Sequence, residues 1–166
     1  MVTVNVYHLR YDELYRLHML VSTPTESRGR EEERALFDTI KHDTKLHHHA
    51  NRIHDYFQML MDASLLQQPQ TYKEGWENIT SAGRYLFESG WYEKVATKHK
   101  ATLIDAWHAT MNINGHWFLK NNVTVKGTWP FRQTMNGDVF EVNKRQWMLT
   151  ANGFIDINSA VFLGDA

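Results

Sequence analysis

The spacing of hydrophobic and polar residues changes along this chain, from helical periodicity in the first half to strand-like runs in the second. Val2 to Tyr7 alternate β-branched and polar side chains, which predicts a short strand. Leucines then recur at helical spacing between Asp12 and Val21, which predicts a brief amphipathic helix. Proline, glycine and hydroxyl residues in 22–30 interrupt this pattern and separate the helix from the next element.

A second, much longer helix is predicted from about residue 31 to residue 66, ending before Pro69. Three consecutive glutamates open it, and negative charge in the first turn favours the helix dipole. Its apolar stripe follows the alternating four and three spacing of a coiled-coil seam. The seam residues of interest are His42, Leu46, His49, Ile53, Tyr56 and Leu60. A helix this long needs an extended surface to pack against, either another copy of the chain or the rest of its own domain.

The C-terminal half contains three Asn-Gly pairs, at 114–115, 136–137 and 152–153, each between strand-like runs. Asn-Gly adopts the positive φ angles of the type I′ turn, which matches the twist of paired strands. These pairs predict hairpins within an antiparallel β-meander from about residue 103 to residue 162. The segment before the first pair also suits a helix, because Leu103, Trp107 and Met111 follow one another at four-residue spacing.

The predicted fold is therefore a single α+β domain spanning 1–166, in which a short strand and two helices precede the meander. The helical half covers about residues 1–68 and the β-rich half about residues 100–166. Between the two halves, residues 81–89 suit a short helix flanked by loops or edge strands.

Composition narrows the classes of function. The chain has 166 residues, 18 lysines and arginines against 19 acidic residues, and no cysteine. A formal net charge of −1 gives no general attraction to nucleic acid or to anionic membranes, so a nucleic-acid partner is unsupported by net charge. The lack of cysteine excludes disulfides, thiolate zinc sites and a cysteine nucleophile. No signal peptide or membrane-length apolar run is visible, which indicates a soluble cytoplasmic protein with no membrane partner, in the host cytoplasm or the virion if viral.

Histidines are concentrated in the predicted long helix. Residues 41–57 contain five of the ten histidines in the chain. Asp43 and His47 have the i, i+4 spacing at which two side chains of one helix converge on a metal ion such as Zn, Mn or Fe. Further ligands would have to come from elsewhere in the chain, with His8, His18, Asp105, His108 and His116 as candidates. The alternative is that these histidines are core or surface residues and that no cofactor is bound.

A second constellation lies around the first Asn-Gly pair. If that segment is a hairpin, Asp105, His108 and His116 come together, and a carboxylate that orients an imidazole is the arrangement of a general base. No serine elbow, phosphate-binding loop or dinucleotide fingerprint accompanies these residues. A structural role for them is therefore favoured.

The function that these features favour is non-enzymatic binding or assembly, through the long helix or the tryptophan-rich sheet, with a homo-oligomer or a protein partner. The compact chain, without cysteine and rich in tryptophan and methionine, suggests a viral or phage accessory or structural protein, although no motif supports this assignment. The alternative is a metal-dependent hydrolase, a phosphoesterase or nuclease, built on the His/Asp cluster. A third class is binding of a small aromatic or sugar ligand by the six tryptophans.

Overall fold

The computed structural model describes residues 2–22, 44–65, 72–127, 131–150 and 153–158. Side chains are described for the same residues except 18–22, 44–49, 62–65 and 72–78.

The described chain has an α+β fold. Its helices are α1 (Tyr11–Ser22), α2 (Thr44–Leu65), α3 (Tyr72–Glu88) and α4 (Leu103–Ala109), with a 3-10 turn at Trp117–Leu119. Its strands are β1 (Val2–Leu9), β2 (Tyr92–Ala101), β3 (Thr124–Val125), β4 (Val139–Val142), β5 (Arg145–Thr150) and β6 (Gly153–Asp156). None of the helices described is long and apolar enough to cross a bilayer.

The six strands form one antiparallel sheet in the order β3-β2-β1-β4-β5-β6. Strand β1 lies at its centre and alternates its side chains between the two faces, as the period of two in its sequence requires. Val4 and Val6 point into one hydrophobic cluster and Leu9 into another. Helices α1, α2 and α3 pack on the Leu9 face, while α4 and the 3-10 turn pack on the valine face. Both faces of the sheet are therefore covered.

The predicted meander is wrong in its first part, because residues 103–109 form helix α4. The cause is a capping box at the start of the helix. Asp105 donates its backbone N–H to Oγ1 of Thr102 at 3.1 Å, and the backbone N–H of Thr102 donates to Oδ2 of Asp105 at 2.9 Å. These reciprocal bonds satisfy two donors at the helix start and favour a helix over a strand. The strand of this region is β2, which precedes the capping box.

Two of the three predicted Asn-Gly hairpins are also wrong. Asn114-Gly115 lies in the loop between α4 and the 3-10 turn, and Asn136-Gly137 forms a turn before β4 begins. The hairpin between β4 and β5 instead turns at Asn143 and Lys144, with φ angles of 52° and 65°. Both angles are positive, as a type I′ turn requires. At the third pair, β5 and β6 do run antiparallel, but residues 151–152 lie outside the described residues, so that turn type stays a prediction.

Helix α2 falls within the predicted long helix, and residues 31–43 lie outside the described residues. Of the seam, His42 lies outside that part of the chain, and the side chains of Leu46 and His49 are not described. Ile53 and Leu60 are buried in the cluster between the helices and the sheet. Tyr56 stacks on Tyr85 of α3, with ring centroids 4.3 Å apart. These three seam residues contact their own domain, and association of copies along the seam stays a prediction.

Candidate functional site

A cleft of about 600 Å³ opens between the end of β2, helix α4 and the loop that follows α4. We call it the basic cleft, because three lysines line it with one histidine, two asparagines and a single carboxylate. The residues concerned are Lys98, Lys100, Lys120, His108, Asn114, Asn122 and Asp105. With histidine neutral, three ammonium groups and one carboxylate leave an excess of two positive charges, although the whole chain has a net charge of −1.

A β-bulge shapes the wall of the basic cleft formed by β2. Val2 lies opposite Ala101 and Val4 lies opposite Lys98, so β2 contains one more residue than β1 over this stretch. Lys100 takes up the irregularity with a φ of 52°, in the left-handed region that costs a non-glycine residue about 1–2 kcal/mol. Such bulges bend a strand and redirect its side chains, and they occur often beside functional sites.

The side chains around the bulge point in different directions. His99 bonds through Nδ1 to the hydroxyl of Thr3 at 3.1 Å, which directs its ring toward β1. Lys98 and Lys100, on either side of it, both line the cleft. The wall of the cleft at the bulge therefore carries two neighbouring ammonium groups.

Helix α4 forms the second wall and contributes Asp105 and His108, one helical turn apart. Hydrogen bonds from Thr102 lower the pKa of the Asp105 carboxyl, and the positive charge of Lys98 lowers it further. Asp105 is therefore a carboxylate at neutral pH, held by the cap at the helix start. Among the hydrogen bonds of the described residues, none joins Asp105 to His108.

The third wall is the loop after α4, which combines charge with exposed apolar side chains. Lys120 donates through Nζ to the backbone oxygen of Ile113, so the two ends of the loop are joined. Ile113 is 51% exposed, and Leu119 beside Lys120 is 72% exposed. Ile113 itself lines the cleft, so this wall combines an ammonium group with an exposed apolar side chain.

The structure brings together only part of the predicted Asp105, His108 and His116 constellation. Asp105 and His108 share the basic cleft, whereas His116 precedes the 3-10 turn and stacks on Phe118 with ring centroids 5.3 Å apart. His116 does not line the cleft. The general-base arrangement stays a prediction without support from a contact between its members.

The side chains of the two predicted metal ligands are not described in the structure. Asp43 lies outside the described residues, and His47 belongs to α2 but its side chain is not described. Within the described part of the chain, no group of three or more histidine, aspartate or glutamate side chains is arranged to hold a metal ion. The Zn, Mn or Fe hypothesis therefore stays a prediction.

The net charge of −1 for the whole chain does not reveal the lysines of the basic cleft, because an overall balance hides a local excess of positive charge. A local signal was present: the segment from Lys94 to Lys100 contains three lysines and one histidine in seven residues. Lys120 had no such signal, because it reaches the cleft only through the path of the loop.

Comparisons with protein families, with curated proteins and with solved structures gave no match.

Proposed function

We propose that this chain is a non-enzymatic binding protein that holds a phosphate-bearing ligand in the basic cleft. The observation behind the proposal is the placement of Lys98, Lys100 and Lys120 around one cavity of about 600 Å³. A cavity of that size accommodates a small organic molecule or a few nucleotides of a longer chain. The positive charge of the cleft selects for an anion.

Lysine and phosphate suit each other chemically. An ammonium group is a compact point charge with three donors on a flexible stem, so it adapts to phosphate oxygens in several orientations. Asn114 and Asn122 add amide donors at the same cleft. The net charge of the chain argues against general attraction to polyanions, but it does not weigh against a local site of this kind.

Binding is favoured over catalysis because of the state of Asp105. Its carboxylate is committed to the Thr102 cap, and no hydrogen bond links it to His108 among the described residues. A general base needs such an orienting partner or an equivalent one. We therefore assign His108 to contact with the ligand.

Two sources of phosphate satisfy the same chemistry, namely a free nucleotide and single-stranded nucleic acid. The experiment separates them by isothermal titration of the protein with inorganic tripolyphosphate, with a nucleoside triphosphate and with a twelve-residue oligothymidylate. Each titration is performed at low and at moderate potassium chloride concentration. Contacts between lysine and phosphate release counterions, so affinity for the oligonucleotide must fall steeply as salt rises.

Lys100→Gln is the test variant and Lys144→Gln is its matched control. Both lysines are exposed and both have positive φ angles, but Lys144 lies on the β4–β5 turn and does not line the basic cleft. We expect Lys100→Gln to weaken binding about fivefold or more, which corresponds to about 1 kcal/mol, and Lys144→Gln to leave it unchanged. Absence of binding to all three probes at low salt, or an equal loss in both variants, would overturn the proposal.

A further inference from the structure

A second cavity, of about 260 Å³, lies beside His8 at the end of β1 and is separate from the basic cleft. We call it the His8 cavity. Its walls come from the start of α1, from β2 and from Phe131 and Arg132. His8 is only 5% exposed, so its imidazole is a buried polar group, and the residue is part of the cavity lining. Buried polar groups normally have hydrogen-bond partners, and the partners of His8 determine what the cavity offers to a ligand.

A chain of hydrogen bonds fixes which nitrogen of His8 bears its proton. Oγ1 of Thr110 lies 3.0 Å from the backbone oxygen of Ala106, and because a carbonyl only accepts, Thr110 must donate. Oγ1 of Thr134 lies 2.6 Å from Oγ1 of Thr110, whose single hydrogen is already used, so Thr134 donates to Thr110. Nε2 of His8 lies 3.0 Å from Oγ1 of Thr134, whose hydrogen is used in turn. Nε2 must therefore carry a hydrogen and donate it to Thr134.

The imidazole of His8 bears only this one proton at neutral pH. Burial lowers its pKa to about 4, and the attraction of Asp138 opposes this shift without cancelling it. Arg132 lowers the pKa further, and Glu93 raises it. Asp138 is 3.8 Å from Nε2, beyond hydrogen-bonding distance, and its oxygens are occupied by Arg132 and by backbone N–H groups. Nδ1 is consequently an unprotonated acceptor, and within the described part of the chain no group donates to it.

The charges that line the His8 cavity are predominantly negative. Asp12, Glu13 and Glu93 contribute three carboxylates. The two arginines of the lining are both paired: Arg132 with Asp138, which does not line the cavity, and Arg10 with Glu13 at 3.5 Å. The cavity thus combines an acceptor nitrogen with an excess of carboxylate.

We infer that the His8 cavity binds a small organic cation, an ammonium or guanidinium compound, whose N–H group donates to Nδ1 of His8. Such a cation supplies only donors, which matches the acceptors available, and the carboxylates of Asp12 and Glu93 in the lining attract its charge. Tyr11 and Phe131 also line the cavity, and aromatic faces attract cations. The volume of about 260 Å³ limits the ligand to a small amine rather than a peptide or a nucleotide.

The first part of the test is nitrogen NMR of the protein with ¹⁵N-labelled histidine at pH 7. His8 should show the tautomer protonated at Nε2, with Nδ1 as a bare acceptor. Thr134→Val, which keeps the side-chain shape but removes the hydroxyl, should release this tautomer and give a mixture. A His8 protonated at Nδ1 in the unaltered protein would overturn the inference.

The second part is titration with 1,4-diaminobutane and with methylguanidine, using the neutral analogues 1,4-butanediol and methylurea as controls. Millimolar amine should shift the Nδ1 resonance of His8, and the neutral analogues should not. Glu93→Gln should weaken amine binding about fivefold or more, whereas Glu88→Gln, on the exposed face of α3, should leave it unchanged. Equal shifts with charged and neutral probes, or no shift with either amine, would refute the assignment of a cation site. The outcome is independent of binding at the basic cleft.

Discussion

The guanidinium of Arg132 and the carboxylate of Asp138 face each other through two parallel hydrogen bonds of 2.7 Å each. Asp138 is fully buried, and its two oxygens also accept the backbone N–H groups of Leu9 and Met135 at 2.8 Å. Arg132 in turn donates to the backbone oxygen of Leu9 at 3.0 Å. Burial alone would lower the pKa of Arg132, but the hydrogen bonds and charge of Asp138 raise it overall. This pair therefore joins the end of β1 to the segment before β4.

Replacing Asp138 by asparagine should strongly destabilise the fold. The substitution keeps the size of the side chain but leaves the half-buried guanidinium of Arg132 without its counter-charge, and loss of one partner from a buried pair costs about 3–5 kcal/mol. Glu88→Gln is the control, since the Arg84–Glu88 pair is solvent-exposed and such pairs contribute only about 0.3–0.5 kcal/mol. Urea denaturation of the three proteins measures both effects, and comparable losses in the two variants would contradict this account.

Stability should depend on pH through His8. Its pKa is about 4 in the folded chain against an ordinary value of 6.5, so between these values the unfolded chain binds a proton that the folded chain does not. The contribution of His8 to the free energy of unfolding is therefore fully present above pH 6.5 and is lost as pH falls toward 4. At pH 5 the loss should be about 2 kcal/mol relative to neutral pH.

The measurement is the free energy of unfolding at pH 7.5, 6 and 5 for the unaltered chain and for His8→Gln. All other titrating groups are shared by the two proteins. Between neutral pH and pH 5, the free energy of unfolding of His8→Gln should therefore fall by about 2 kcal/mol less than that of the unaltered chain. Asp138, Arg132 and Glu93 act on His8 electrostatically, and they are present in both proteins. Parallel pH profiles would show that His8 is not the group responsible.

The β4–β5 turn offers a stabilising substitution. Lys144 occupies the second turn position with a φ of 65°, which glycine adopts without the strain of a Cβ atom. We expect Lys144→Gly to stabilise the protein by about 0.5–1 kcal/mol, because relief of about 1–2 kcal/mol of backbone strain is partly offset by the larger conformational entropy that glycine loses on folding. Lys144→Ala should change little, because alanine has the same strain as lysine. Thermal unfolding of Lys144→Gly and Lys144→Ala separates the effect of backbone strain from the loss of the lysine charge, since both variants lose the charge. Equal melting temperatures for the two variants would argue against a strained turn.

Gly137 should resist substitution even though it does not form a hairpin turn. Its φ is 97°, and a Cβ added there would meet Leu60 at 3.9 Å and Leu9 at 4.0 Å, which are ordinary contact distances. The cost of Gly137→Ala is therefore one of backbone conformation, about 1–2 kcal/mol. Gly137→Asn should cost less, since asparagine tolerates positive φ better than alanine. Denaturant titration should find the unaltered protein most stable, Gly137→Asn next and Gly137→Ala least stable. An asparagine variant less stable than the alanine variant would point to a steric cause instead.

Periodicity predicted the elements whose signal is local. The alternation from Val2 to Tyr7 appears as β1, and the amphipathic spacing within 44–65 appears as α2. At residues 103–109 two local signals competed. The Asn-Gly pair at 114–115 suggested a hairpin, but Thr102 and Asp105 form a capping box whose spacing is visible in the sequence and which prevailed in the fold. The capping box is therefore the local signal that predicts α4.

The arrangement of the sites, in contrast, depends on which distant segments become neighbours. The basic cleft needs Val4 to lie opposite Lys98, and the buried ion pair needs the end of β1 to meet residues 131–138. Neither register is encoded in a short window of sequence. The hydrophobic pattern predicts which side of a strand is buried, but it does not specify its neighbour in the sheet.

The central position of β1 has a consequence for how the protein is made. During synthesis β1 leaves the ribosome before either of its neighbours, and Asn5 must wait for Glu141, 136 residues later, to receive one of its side-chain contacts. Until then the edge of β1 that pairs with β4 is open to other nascent chains, even after β2 has paired with the opposite edge. Such long-range pairing is slow to form, because a large loop must close before any contact compensates for the lost entropy. The sheet can therefore be completed only after β4, β5 and β6 have been synthesised, and shielding of this edge against aggregation matters most during that interval.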